Sequence, residues 1–288
     1  MKTAKPTTKD NNHPLQLTDL TWKQVDALDR NATVFVLPIS PLEEHGPHLP
    51  IGTDFLTTAE TAKEAMQVVQ KQKPNVHAVL HPPIPLGHTG MALGFPGTAT
   101  IPVKTVRSIV MDTVSALADY QFRYFVICTF HMDLGHLKGI YQAIDRLQTS
   151  YPALKIIEPW GPYFYGLDVE KREPKPTFDT HLEIHGCYRE TSMMLYQFPY
   201  LVDPVYKTLP PVTYDVYSPK ALGKTFKTVG ATEGYIGSPA NATSDYGRWY
   251  YQEIVETIAN ATLNMLNGQP PRDLPAKTRL SMKSMFWL

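Results

Sequence analysis

Three short stretches hold most of the side chains that chemistry could use. SPLEEHGPHLPIGTD, residues 40–54, places Glu43 and His45 two apart and Asp54 nine residues beyond His45. In an extended segment residues i and i+2 project to the same side, so Glu43 and His45 present a carboxylate and an imidazole together. FHMDLGH, residues 130–136, repeats the arrangement with His131 and Asp133, and HLEIHGCYRETS, residues 181–192, adds His181, Glu183, His185 and Glu190. Mixed imidazole and carboxylate donors suit a divalent cation. The two oxygens of Asp54 could bridge a pair of cations, which would activate a shared water and polarise a carbonyl under attack. Each residue alone reads more naturally as a capping or surface group; the recurrence in three places gives the pattern its weight.

Those stretches need a frame that gathers them. TVFVLPI (33–39) is short, apolar and β-branched, the pattern of a strand buried on both faces, and the first stretch follows it directly. Further strands are predicted at 76–84, 124–128 and 154–159, with helices at about 57–72, 103–120, 137–148, 188–196 and 244–266. This alternation predicts a three-layer α/β/α sandwich with a largely parallel central sheet. Ligands of such sheets gather at the carboxyl ends of the strands, where seven of the ten histidines (His45, His48, His88, His131, His136, His181 and His185) are expected. Residues 160–179, rich in Pro, Gly and aromatics, read as a long loop. Its Trp160, Tyr163, Phe164 and Tyr165 could form a lid on a flat substrate or bury themselves against the surface. Residues 1–15 read as a flexible lead-in and 16–288 as one domain.

Composition narrows the partners. With 27 basic and 27 acidic residues the chain carries no net charge and no basic stripe, which argues against nucleic acid and an anionic membrane and for a small-molecule substrate. Two cysteines, Cys128 and Cys187, are too few for a disulfide framework. The polar first residues and the lack of a spanning apolar run set an expectation of a cytoplasmic protein.

LPISPLEEHGPHLPIGTD resembles the first signature of the creatininase (creatinine amidohydrolase) family. The likeness continues in order through PPIPLGHTGMALGFPGT, VICTFHMDLGH, HGCYRETSMML and TEGYIGSPANATSDYG, over about residues 33–250. The resemblance implies an α/β/α fold, a centre of two divalent metals (zinc, manganese or iron) and a homo-oligomer, often a hexamer. By position it makes Glu43 and His131 ligands of one metal, His45 a ligand of the other and Asp54 the bridge. Creatininase itself completes the second site with a Glu that maps to Asp133, whereas other members use the Glu of the ETS motif, here Glu190; Asp133 is placed first. His185 resembles the residue assigned to proton transfer, so His185 and Glu190 are the catalytic candidates, although His185 could instead orient a ligand. Trp160, Met132 and His181 are the candidates for substrate contact. Thr129-Phe130 stands where Asn-Gly is usual, and Met132 and Leu134 also depart from the pattern, so creatinine itself does not carry over as substrate.

The expected function is therefore a metal-dependent hydrolase whose activated water attacks a cyclic amide or related small carbonyl compound. The alternatives are the same machinery acting on a formamide, a peptide end or a cyclic polyketone, or a non-catalytic oligomeric metal-binding scaffold.

Overall fold

The computed structural model describes residues 13–178, 180, 182–216, 218–221 and 223–285. Five parallel strands, β1 (Leu15–Gln16), β2 (Thr33–Pro38), β3 (His77–Leu80), β4 (Tyr124–Cys128) and β5 (Lys155–Ile157), lie in the order β1-β3-β2-β4-β5. Leu15, the last residue of the expected lead-in, thus opens an edge strand, while residues 1–12 lie outside the described residues. The helices are α1 (Trp22–Asp26), α2 (Thr53–Gln72), α3 (Val103–Ala118), α4 (Leu134–Ser150), α5 (Trp160–Phe164), α6 (Asp168–Arg172), α7 (Tyr188–Gln197), α8 (Ser244–Leu266) and α9 (Ala276–Ser284).

The pleat of the strands sorts their side chains into two cores. Val34, Val36, Ala78, Leu80, Val126 and Ile157 face Ala62, Ala65, Met66 and Val69 of α2 and the apolar side of α8. Their neighbours Phe35, Leu37, Val79, Phe125, Ile127 and Ile156 face α3 and α4 on the other side. A strand buried on both faces cannot alternate apolar with polar, which is why β2 is a continuous apolar run with every residue buried. Each large aliphatic side chain so buried stabilises the fold by roughly 1.5–3 kcal/mol. The sheet with helices on both faces is the sandwich expected from the alternating pattern.

Two segments differ from the sequence expectation for physical reasons. Helix α2 begins at Thr53, whose hydroxyl donates to the Pro50 carbonyl at 2.8 Å, so Asp54 sits in the first turn rather than before it. The apolar period that betrays the helix starts later, but an acidic residue suits this positive end. Residues 160–179 contain α5 and α6, each five residues long and too short to show a period. The buried Glu158 starts α5 by accepting the N–H groups of Trp160 and Gly161 at 2.9 and 3.0 Å. No described helix is long and apolar enough to cross a membrane.

Candidate metal centre

The carboxyl ends of β2, β3 and β4 are tied to one another before any ligand is considered. Beyond β2, Ile39 N–H donates to the Cys128 carbonyl at 2.9 Å and Ser40 N–H to the Ile84 carbonyl at 3.1 Å. A buried hydroxyl knot then joins the loops to α2: Ser40 Oγ lies 2.9 Å from Thr58 Oγ1 and 3.1 Å from Thr129 Oγ1, and Phe130 N–H donates to Thr58 Oγ1 at 2.8 Å. Asp54 lies one turn before Thr58, so the same knot brings it beneath the two loops. Gly186 closes the fourth side. Its φ of +54° and a Cβ position 2.9 Å from the His45 carbonyl leave room for glycine alone between His185 and the start of α7.

Around this frame Glu43, His45, Asp54, His131 and His185 are buried and Glu190 nearly so. Three sets of their ligand atoms lie within 4.8 Å of one another: Glu43, Asp54 and His131; His45, Asp54 and Glu190; and Glu43, His45 and His185. The first two share Asp54, and its oxygens divide between them. Oδ2 lies 2.9 Å from His131 Nδ1, while Oδ1 lies 3.4 Å from His45 Nε2. His131 Nδ1 is also 3.1 Å from Glu43 Oε1, and His45 Nε2 is 3.9 Å from Glu190 Oε1.

Each imidazole is pinned through its other nitrogen. His45 Nδ1–H donates to the Glu43 carbonyl at 3.1 Å, His131 Nε2–H to the His88 carbonyl at 2.9 Å and His185 Nε2–H to the Glu44 carbonyl at 2.5 Å. A carbonyl can only accept, so these bonds fix the tautomers and turn the remaining nitrogen of each ring toward the carboxylates. For His45 that nitrogen, Nε2, is buried and makes no hydrogen bond. Such an unpartnered lone pair beside three carboxylates fits a divalent cation. His185 Nδ1 faces Glu43 at 3.7 Å, with its ring 4.2 Å from that of His45.

The charges agree with the geometry. Among the described residues the ion-pair partners of Glu43, Asp54 and Glu190 are imidazoles. Burial alone would push His45 down, but Asp54, Glu190 and Glu43 outweigh it and hold it up at about 10. His131 is likewise held well above its usual value against burial, by Glu43 and Asp54. Burial acts to raise Asp54, yet the two imidazoles keep it well below the usual carboxylate range, while burial leaves Glu190 raised. Concentrated negative charge of this kind attracts cations of any sort, and two divalent ions would neutralise it without protons.

The structure brings Glu43, His45, Asp54, His131, His185 and Glu190 together. Asp133 is elsewhere occupied: it is the N-cap of α4, its carboxylate accepting His136 N–H at 2.9 Å, and it joins none of the three sets. Met132 is half-buried and packs against both cores. Trp160 is buried, stacked 5.1 Å from Tyr163 and edge-on to Tyr250, so of the two readings of that aromatic group it follows the packing one. His181 lies outside the described residues. Three contributors were not singled out from the sequence. Glu44 supplies the carbonyl that holds His185; His48 Nε2 bonds Thr191 Oγ1 at 2.8 Å beside Glu190; and the Phe226 ring stacks on His185 at 4.6 Å. His48 was one of the clustered histidines, but nothing in the spacing marks Phe226.

The chain is similar to proteins of known activity. A creatinine amidohydrolase of Pseudomonas putida is 26% identical over 264 residues, covering 84% of this chain and 94% of the relative. A mycofactocin precursor peptide peptidase of Mycolicibacterium smegmatis is 31% identical over 77 residues, which is 27% of this chain and 31% of that protein. A solved structure of creatininase with manganese matches with a TM-score of 0.66 at 23% identity, covering 90% of this chain and 100% of its own. The family model for creatininase, creatinine amidohydrolase, matches residues 18–262, and with that match over most of its length the chain belongs to the creatininase family.

Proposed function

We propose that this protein is a metal-dependent amidohydrolase with two cation sites, one held by Glu43, Asp54 and His131, the other by His45, Asp54 and Glu190. The observation that carries this reading is the division of Asp54, one oxygen toward each of two oppositely placed imidazoles whose other nitrogens are pinned to backbone carbonyls. The mixed nitrogen and oxygen donors suit zinc, manganese or iron(II). When bound, such a pair supplies an activated water and polarises the carbonyl it attacks.

The chain's own groups do the rest. The carbonyl pins hold each imidazole in one orientation through turnover. His185, with Nε2–H tied to Glu44, has Nδ1 free to take or give a proton, and its place beside Glu43 makes it the donor to the departing nitrogen. The burial of Glu43, His45, Asp54, His131 and His185 keeps bulk water away from the reacting carbonyl.

A cyclic amide is the substrate class favoured by the relative that spans most of the chain, a creatinine amidohydrolase. A peptide bond is the second reading, favoured by the stretch shared with the peptide peptidase. Metal per chain, measured by mass spectrometry on wild type and His45→Ala, tests the centre; a panel of cyclic amides against short peptides, scored by amine release, tests the substrate. Near two equivalents in wild type, falling in the variant, is expected. No metal in either after reconstitution with zinc and manganese overturns the proposal.

A further inference from the structure

We propose that residues 223–231 form a flap whose Phe226 ring closes the centre over His185, latched by Lys227 to the turn at residues 91–95. The His185 ring lies 4.2 Å from that of His45 and 4.6 Å from that of Phe226, which is inclined to it by only 26°. Phe226 is therefore the side chain that must leave for a flat molecule to lie against His185 in its place. This consequence for a substrate rests on the hydrolase reading; the flap itself does not.

The way the segment is held supports a part that moves as a unit. Its buried side chains are Phe226 and, at its end, Ala231, while Gly223, Lys224, Lys227, Thr228 and Gly230 are exposed. Phe226 belongs to neither main core but to a small cluster with Ala92, Ala231 and Ile236. Three contacts fasten it to the facing turn. Phe226 N–H donates to the Met91 carbonyl at 2.8 Å, Lys227 Nζ donates to the Gly94 carbonyl at 2.6 Å, and the same ammonium lies 4.4 Å from the centre of the Phe95 ring. At its ends Gly223 and Gly230 have φ of +70° and +96°, and nothing lies within 4 Å of where a Cβ would stand. Glycines free of both steric and packing restraint are suited to absorb the backbone rotation of a hinge. Beyond them the chain is fixed again, where Ile236 pairs with His185 through N–H to carbonyl bonds of 2.7 and 3.0 Å. The flap thus hangs from a segment that is paired to the residue it covers.

The test uses neither metal nor substrate, so its failure is distinct from failure of the hydrolase reading. Diethyl pyrocarbonate acylates accessible imidazole nitrogens. The full-length chain, dialysed against chelator, is treated with it and the rate at His185 is followed by peptide mass spectrometry, with the fully buried His136 as internal reference. Lys227→Ala removes both contacts made by the ammonium and leaves the ring in place; Phe226→Ala removes the ring. Loss of the latch should speed His185 modification roughly tenfold with His136 unchanged. Phe226→Ala should do so at least as much. Wild-type rates at His185 in both variants overturn the flap, and so does equal acceleration at His136, which would mean a general loosening.

Discussion

Asp133→Ala and Glu190→Ala should act in opposite ways, because the structure gives the two carboxylates different work. Asp133 accepts His136 N–H at 2.9 Å at the head of a 17-residue helix, so its loss removes a cap that stabilises by about 1 kcal/mol. For a chain of 288 residues that is a fall in Tm of about 2 °C. Glu190 is raised by burial against the pull of His45 and His185, and its carboxylate accepts only a long bond of 3.4 Å from Cys187 N–H at the head of α7, so removing it relieves the cost of burying a charge while losing a weak cap, and Tm should fall less than in Asp133→Ala. Metal content should reverse the order. Asp133→Ala should retain both equivalents, whereas Glu190→Ala should lose one, with a drop in affinity beyond the 10–100-fold that changes behind the ligands cost. Thermal unfolding with and without chelator, paired with metal analysis, reads both effects on the same samples. Metal lost from Asp133→Ala and kept in Glu190→Ala would refute the assignment and make the capping role of Asp133 secondary to ligation.

Two further outcomes follow from the buried charges. Metal affinity should climb with pH from neutrality to about 10, because a cation must displace the proton that Asp54, Glu190 and Glu43 hold on His45; calorimetry that finds pH-independent affinity and no proton release would remove His45 from the ligand set. Glu158 should make stability fall as pH rises. Burial lifts it from 4.5 to about 7 against the pull of the Gly161 N–H, the Tyr141 hydroxyl and the Trp160 N–H. Its folded value exceeds its unfolded one, so its contribution of about 3 kcal/mol is complete below pH 4.5 and gone above 7. Glu158→Gln, compared with wild type in urea titrations, should match it at pH 4.5 and exceed it at pH 8; parallel curves at both would show that Glu158 ionises freely.

The layered fold was legible because its strands are buried on both faces. TVFVLPI and YFVIC are apolar without interruption, and the helix of residues 244–266 has a period long enough to read to its ends. The five-residue helices α5 and α6 are too short to show a period, and the two-residue β1 is defined by its pairing with β3, distant in sequence. Glu43, His45, Asp54 and His131 stood out because donor types recur directly after buried strands. Asp133 stood out for the same reason, and spacing alone cannot tell a ligand from a cap: the sequence Asp-Leu-Gly-His serves either purpose, and only the direction of its carboxylate, toward His136 N–H, separates them. Phe226 was invisible because its role depends on a contact with His185 across 41 positions of chain.

The departures from the family pattern at residues 129–134 bear on what is free to vary. Thr129 and Phe130 serve the frame, one in the hydroxyl knot with Ser40 and the other through its N–H to Thr58 and its ring against Tyr250. The imidazoles, by contrast, are pinned by the carbonyls of Glu43, Glu44 and His88, groups that every residue type supplies. Side chains beneath and beside the centre can therefore change without releasing a ligand, provided the backbone keeps its path. Gly234 shows where that freedom ends: with φ of +80° and the Glu44 carboxylate packed where a Cβ would go, a side chain there would displace Glu44 and with it the carbonyl that holds His185. A difference in substrate between this chain and its relatives would on the proposed function be most readily accommodated at Met132 and the Phe226 segment, while the main chain keeps the imidazoles in place.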